Sequence, residues 1–128
     1  MTSFKEKVIA IVQSAPYGKV VSYGQVAAYL GMPRGARQVG WILNATENSP
    51  GLLPWWRVVN NVGYLSIRGT KYHDKKLQRK LLVSEGVKVS EDFLLPMSVY
   101  RYRPSIDELK KFQLGKEYVD FLITKYRL

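Results

Sequence analysis

The apolar positions near the start of the chain recur at helical spacing. Phe4, Val8, Ile11 and Val12 fall on one face, and Ser3 with Glu6 makes a capping-box pattern, so a helix is predicted from about Phe4 to Gln13. Pro16 and Gly18 end it, and Lys19 to Val21 reads as a short extended piece. Ser22 then caps a second helix, Tyr23 to Leu30, which Gly31 stops. Met32, Pro33, Arg34 and Gly35 form a turn, and a third helix runs from about Ala36 to Asn44. Two short helices about a tight glycine-containing turn make the helix-turn-helix pattern, whose second helix faces nucleic acid. The same spacing also fits an ordinary helical hairpin in a bundle.

Residues 46–54 form a loop rich in turn formers. Val58 and Val59, then Tyr64, Leu65 and Ile67, read as two short strands of a hairpin turned by Asn60, Asn61, Val62 and Gly63. Lys76 to Ser84 reads as a helix with Leu77, Leu81 and Leu82 on one face, ended by Glu85 and Gly86. Val87 to Val89 adds a short strand, and Met97 to Pro104 an extended arm. In the tail, Ser105 and Glu108 make another capping box. Ile106, Leu109 and Phe112 share one face, and Val119, Leu122, Ile123 and Tyr126 share another beyond Gly115. These stripes fit one or two amphipathic helices, packed back on the domain or presented to another chain. The expected division is 1–104 as the main domain and 105–128 as the helical tail.

Charge sharpens the choice of partner. Of the net +10, residues 1–104 carry 15 Lys/Arg against 6 Asp/Glu, a net of +9, and residues 105–128 carry 5 against 4, a net of +1. A positive excess concentrated in the main domain favours a polyanionic partner, most simply nucleic acid. The N-terminus shows neither a long apolar run nor a small-residue cleavage site. No signal peptide and no membrane span are expected, and an intracellular location, cytoplasmic or nucleoid/nuclear, fits.

The inventory for covalent chemistry is thin. With no cysteine in 128 residues, disulfides, thiolate zinc sites and cysteine nucleophiles are excluded. The single histidine, His73, sits beside Asp74 in KYHDKK and reads as solvated surface. No metal or cofactor is expected, because no cluster has ligand spacing and no glycine-rich phosphate cradle or nucleophile elbow occurs. What stands out is LPWWRVV, where Trp55 and Trp56, two of only three tryptophans, sit side by side. Adjacent rings point in different directions, so one packs inward while the other lines a surface. Aromatic residues usually belong to the core, but a tryptophan in a groove also offers a face on which bases stack.

The runs VVSYGQVAAYLGMPRGARQVG, LPWWRVVNNVGYLSIRG and LLVSEGV, in this order, resemble the DNA-binding domain of the O6-alkylguanine-DNA alkyltransferases over roughly residues 4 to 89. Those enzymes carry PCHRV, in which the cysteine accepts the alkyl group of a flipped guanine. Here Trp55 stands in the place of that cysteine and Trp56 in that of its activating histidine. Arg79 matches the position of a catalytic glutamate. An indole N–H is only a donor and supplies no ionisable nucleophile near neutral pH. A tryptophan in the cysteine's place is the mark of the alkyltransferase-like proteins, which bind O6-alkylguanine, leave it unrepaired and pass it to nucleotide excision repair.

The resemblance implies a mainly α fold with a small β hairpin, a winged helix-turn-helix-like DNA-binding domain of the alkyltransferase C-terminal type, followed here by a helical extension. It implies roles position by position. Tyr23 crowds the target's 3′ phosphate and helps rotate the nucleotide outward. Arg37 enters the stack and fills the vacated space. Trp55 walls the base pocket, Val58 offers backbone polar groups to the guanine edge, and Arg68 lies against the base. The helix carrying Arg37 enters the minor groove, which demands small residues, and Gly35, Ala36 and Gly40 supply them. Trp41 departs from that demand: it either turns into the core beside Ile42 and Leu43, which is the expectation, or meets the edge of the groove.

The implied partners are double-stranded DNA containing O6-alkylguanine and proteins of nucleotide excision repair, with the chain acting as a monomer and no membrane involved. The alternatives are a sequence-specific helix-turn-helix regulator without a base pocket, and a base-removing or strand-cutting enzyme that uses Asp or Glu. The first gives Trp55 and Arg68 no purpose, and the second lacks paired carboxylates.

Overall fold

The computed structural model describes residues 4–32, 34–45, 54–65, 75–105, 107 and 115–126. Its elements are α1 (Phe4–Ser14), β1 (Val21–Ser22), α2 (Tyr23–Tyr29), α3 (Ala36–Ala45), a 3-10 turn (Trp55–Arg57), β2 (Val58–Val59), α4 (Lys75–Ser84), a one-turn α5 (Met97–Tyr100) and the tail helix α6 (Lys116–Tyr126). The fold is mostly helical with one small sheet, in which β1 and β2 run parallel with Val21 opposite Val58 and Ser22 opposite Val59.

Strand alternation at this sheet divides the interior. Val21 and Val58 point into one cluster with Val8, Ile11 and Val12 of α1, Val26 to Tyr29 of α2, Val39 and Leu43 of α3, and Trp55. Val20 and Val59 point the other way, into a second cluster with Leu65, Leu82, Val87, Val89 and Leu95. Side chains of successive strand residues leave on opposite faces, so two valine pairs suffice to feed two cores. Trp56 packs against both clusters. Val119 and Leu122 of α6 lie buried in the first cluster, and the Tyr118 hydroxyl donates to the Ala28 carbonyl at 2.5 Å, so this helix packs on the body of the protein.

Several expectations are met locally. Ser22 caps α2, and Gln25 completes a capping box: the Gln25 amide donates to Ser22 Oγ and the Ser22 amide to Gln25 Oε1, both at 3.0 Å. The turn to α3 closes through Gly31, at a φ of +78°, with Met32 donating to the Ala27 carbonyl and Gly35 to the Met32 carbonyl.

Other details differ. The turn Asn60–Gly63 forms, with Asn60 donating to the Tyr64 carbonyl, but the sheet is not the expected hairpin. β2 pairs with β1, and Tyr64 leaves to bridge Leu94. Val87 to Val89 forms no strand, although both valines are buried. The expected extended arm begins with the helical turn α5; only Arg101 and Tyr102 run alongside Val20, whose carbonyl accepts from Tyr102 at 2.7 Å. On α4 Gln78 and Leu82 are buried and Leu81 is half-buried, while Leu77 is exposed. Gln78 takes the inner place because its Nε2 donates to the carbonyls of Trp56 and Val58, at 3.2 and 2.9 Å. A buried backbone oxygen without a partner would cost about 1–3 kcal/mol.

Trp41 corrects a further expectation, since it is 62 % exposed. α3 buries Val39 and Leu43, four residues apart, and Trp41 between them projects to the opposite side at about 100° per residue. Ile67, His73, the loop 46–53, Ser3 and residues 108–114, with the helix expected there, lie outside the described residues.

Candidate DNA-lesion site

The site grows from the junction of β1 with α2. The capping box fixes the first turn of α2 and with it Tyr23, which is half-buried against the first core cluster. Burial pushes its phenol up to about 12, because an ionised oxygen would lose hydration there. The hydroxyl therefore stays protonated through the neutral range and can approach a phosphate as a neutral donor. α3 crosses beside it at Gly40, where an added Cβ would lie 4.0 Å from Tyr23 Cε1.

Gly35 and Gly40 lack a side chain for different local reasons. Gly35 is buried, and a Cβ there would press on Met32 at 3.1 Å from its carbonyl and on Ala27 at 3.6 Å. Its smallness lets the turn close against α2. Gly40 is half-buried and has room beyond the Tyr23 ring. Ala36 is half-buried, and Arg37 is exposed one residue further along α3.

The paired tryptophans part as expected, with ring planes at 87° and centroids 6.1 Å apart. Trp55 is the inner ring, only 7 % exposed and held by the first core cluster together with Val58. Tyr23 packs on that same cluster, so the structure gathers Tyr23, Trp55 and Val58 around one body of side chains. The Val58 amide donates to the Trp55 carbonyl, and the Val58 carbonyl accepts from Gln78. Arg68 lies outside the described residues.

Trp56 is tied down by Glu85, which the sequence marks only as the end of a helix. Its Nε1–H donates to Glu85 Oε2 at 2.6 Å. The same carboxylate forms an ion pair with Arg57 at 2.9 Å and accepts from the Gly18 amide at 2.8 Å, with side-chain exposures of 14 % for Arg57 and 4 % for Glu85. Arg57 also donates to the Ala15 carbonyl at 2.9 Å and lies over the rings of Tyr17 and Trp56, 5.8 and 5.7 Å from their centroids. Burial alone would raise the Glu85 pKa. Hydrogen bonds from Arg57, Gly18 and Trp56, with the Arg57 charge, outweigh it and hold the carboxyl below its ordinary value.

One cluster thus joins the end of α1, the tryptophan turn and the end of α4. The signal was present as the acid of LLVSEGV, beside a helix-ending glycine. Arg79 does not face Trp56; it donates to the carbonyls of Val89 and Ser90, at 3.0 and 3.3 Å.

Among the described residues no group of three or more His, Cys, Asp or Glu could hold a metal ion, and no helix is long and apolar enough to cross a membrane. The structure therefore holds a neutral half-buried phenol and an almost wholly buried indole on one core, with Arg37 exposed on α3.

Residues 3–87 match the family model described as 6-O-methylguanine DNA methyltransferase, DNA binding domain, and the chain belongs to that family. Within it, this is an alkyltransferase-like protein. It is 42 % identical over 100 residues to the DNA base-flipping protein of Escherichia coli, covering 78 % of this chain and 74 % of the relative. It is 35 % identical over 108 residues to Alkyltransferase-like protein 1 of Schizosaccharomyces pombe, covering 81 % and 98 %. The fold superposes on the crystal structure of S. pombe Atl1 in complex with damaged DNA containing O6-carboxymethylguanine, with a TM-score of 0.73 at 35 % identity, over 81 % of this chain and 98 % of that one.

Proposed function

We propose that this protein recognises O6-alkylguanine in duplex DNA, turns the damaged nucleotide into a pocket walled by Trp55, and holds it there without taking the alkyl group. The observation that carries the reading is an indole, fixed in the core at the position of the family's acceptor thiol, in a chain with no cysteine. Alkyl transfer needs a soft ionisable nucleophile, which this chain lacks. Trp56 has no thiol to activate, and its N–H serves Glu85 instead.

In this reading α3 enters the minor groove on the face that carries Ala36 and Gly40, with Gly35 closing the turn behind it. Tyr23 presses a neutral hydroxyl on the 3′ phosphate. Arg37 replaces the departed base and offsets part of the few kcal/mol that flipping costs. The Val58 amide is spent on the Trp55 carbonyl, so Val58 meets the guanine edge through the second lone pair of the carbonyl that also accepts from Gln78. Arg68 lies against the ring, where a cation can meet the π face. Residues 1–104 carry the DNA contacts as a monomer, and α6 adds Val119 and Leu122 to the first core cluster. The held lesion marks the site for nucleotide excision repair.

The test is a titration with duplexes holding a central guanine or O6-methylguanine, in several sequence contexts at one stated salt concentration. Preference for the lesion in every context, with the DNA chemically intact, is the expected result. Binding that follows context and ignores the lesion would make the protein a sequence-specific regulator. Release of a base or a cut strand would make it an enzyme.

A further inference from the structure

α3 carries a side chain that neither the fold nor the proposed flipping step uses. Trp41 is 62 % exposed, which leaves most of a large aromatic surface in water. It stands one turn after Arg37, at the i, i+4 spacing that places two side chains on one helix face, and Gln38 is exposed between them. The opposite face holds Val39 and Leu43 in the core, so the helix cannot roll to bury the indole. Gly40, next to it, lies beside Tyr23.

The dimensions of DNA indicate what this arrangement does. A minor groove of about 6 Å is narrower than a helix of about 10–12 Å diameter, so α3 can enter only a groove that has been opened. A bulky flat apolar plate on the entering face is an obstacle to shallow docking and a suitable wedge for prising a step apart. Four residues advance about 6 Å along a helix, close to two base steps of about 3.4 Å.

We propose that Trp41 is a second DNA wedge, which seats its indole in the opened minor groove about two base steps from the Arg37 position. This rests on the proposed entry of α3 into the groove, but the contact is with the duplex rather than with the lesion. It supplies affinity and bending, whereas Arg37 and the pocket supply lesion preference. The occupant is duplex DNA: the exposed guanidinium on the same face and the net +10 of the chain match its charge.

Trp41→Ala, Trp41→Phe and the wild type would be compared on plain and O6-methylguanine duplexes, with end-to-end energy transfer reporting the bend. Trp41→Ala should weaken binding to both duplexes by about tenfold and leave their affinity ratio unchanged, with less bending, while Trp41→Phe recovers most of the loss. Trp41 is the exposed tryptophan of the three, so the acrylamide-quenchable emission should be shielded when DNA binds. Because Trp41 lies outside the core, its removal should leave the melting temperature unchanged. Unaltered affinity for both duplexes, with the indole still open to quencher in the complex, would overturn the wedge and leave the surface to a protein partner. A wild type with no lesion preference, but with the same loss in Trp41→Ala, would overturn the proposed function and leave the wedge standing.

Discussion

Replacing Glu85 by glutamine tests whether the tryptophan turn is held by charge. The substitution keeps the shape and an acceptor for Gly18 or Trp56, but removes the negative charge that Arg57 meets at 2.9 Å. Hydrogen bonds to charged groups contribute about 1.5–3 kcal/mol, and removing one partner of a buried pair costs about 3–5 kcal/mol. Glutamine retains part of the network, so a loss of about 2–3 kcal/mol is expected at pH 7. For a domain of this size that lowers the melting temperature by roughly 6–12 °C.

The pH dependence gives the sign. The folded Glu85 pKa lies below its unfolded value, so the carboxylate's contribution is present above the unfolded pKa and is lost as pH falls through the folded one. The stability gap between wild type and Glu85→Gln should be widest at neutral pH and narrow as the pH falls below about 4.5, the ordinary glutamate value, toward the lower pKa of the folded carboxyl. Urea unfolding followed by circular dichroism, repeated from pH 7 to pH 3, measures it. Equal stability at pH 7, or a gap that persists unchanged to pH 3, would refute the assignment of charge to this cluster.

Other outcomes follow from the same geometry. Gly63 sits at a φ of +91°, where an added Cβ would run into the Leu95 carbonyl oxygen, so Gly63→Ala should destabilise by more than about 1 kcal/mol in chemical denaturation. Gly40→Ala places its Cβ at ordinary contact distance from Tyr23; it should raise stability by about 0.5–1 kcal/mol and reduce DNA affinity, two readouts that separate the helix from the groove. Tyr23, pushed up to about 12, stays protonated in the fold while an unfolded tyrosine ionises near pH 10. Its contribution is whole below pH 10 and is lost toward pH 12, and Tyr23→Phe should flatten that part of an alkaline unfolding curve. Arg37→Ala should weaken binding to an O6-methylguanine duplex more than to plain DNA in an anisotropy titration, and equal losses would count against its role as a finger.

The helices were legible because their signals are local. The stripe Val8, Ile11 and Val12, the cap at Ser22 and the stop at Gly31 each act within a turn of the chain, and all three hold. The sheet was misread because hairpin signals are local and parallel pairing is not. Asn60 to Gly63 made its turn, but the partner of Val58 is Val21, 37 positions earlier. Gln78 was invisible for a related reason, since its inward position depends on carbonyls of Trp56 and Val58 that no apolar pattern encodes.

The motif LPWWRVV marked the indole pair in the sequence, and the fold places Trp55 inside the first cluster and Trp56 at the seam between the two. The partner of Trp56 was missed, because a family resemblance directs attention to Arg79, whereas the fold brings Glu85 to the indole. Trp41 was misplaced through its apolar neighbours. Only the helical phase set by Val39 and Leu43 shows that it faces outward.

The central claim is capture of a damaged guanine without chemistry. The most direct measurement is to saturate the protein with an O6-methylguanine duplex in competition with plain DNA, recover the complex, and weigh both components by mass spectrometry. Enrichment of the damaged duplex, with every methyl group still on the DNA and the protein at its original mass, is the predicted result. A methylated polypeptide, a lesion restored to guanine, or no enrichment of the damaged strand would contradict it.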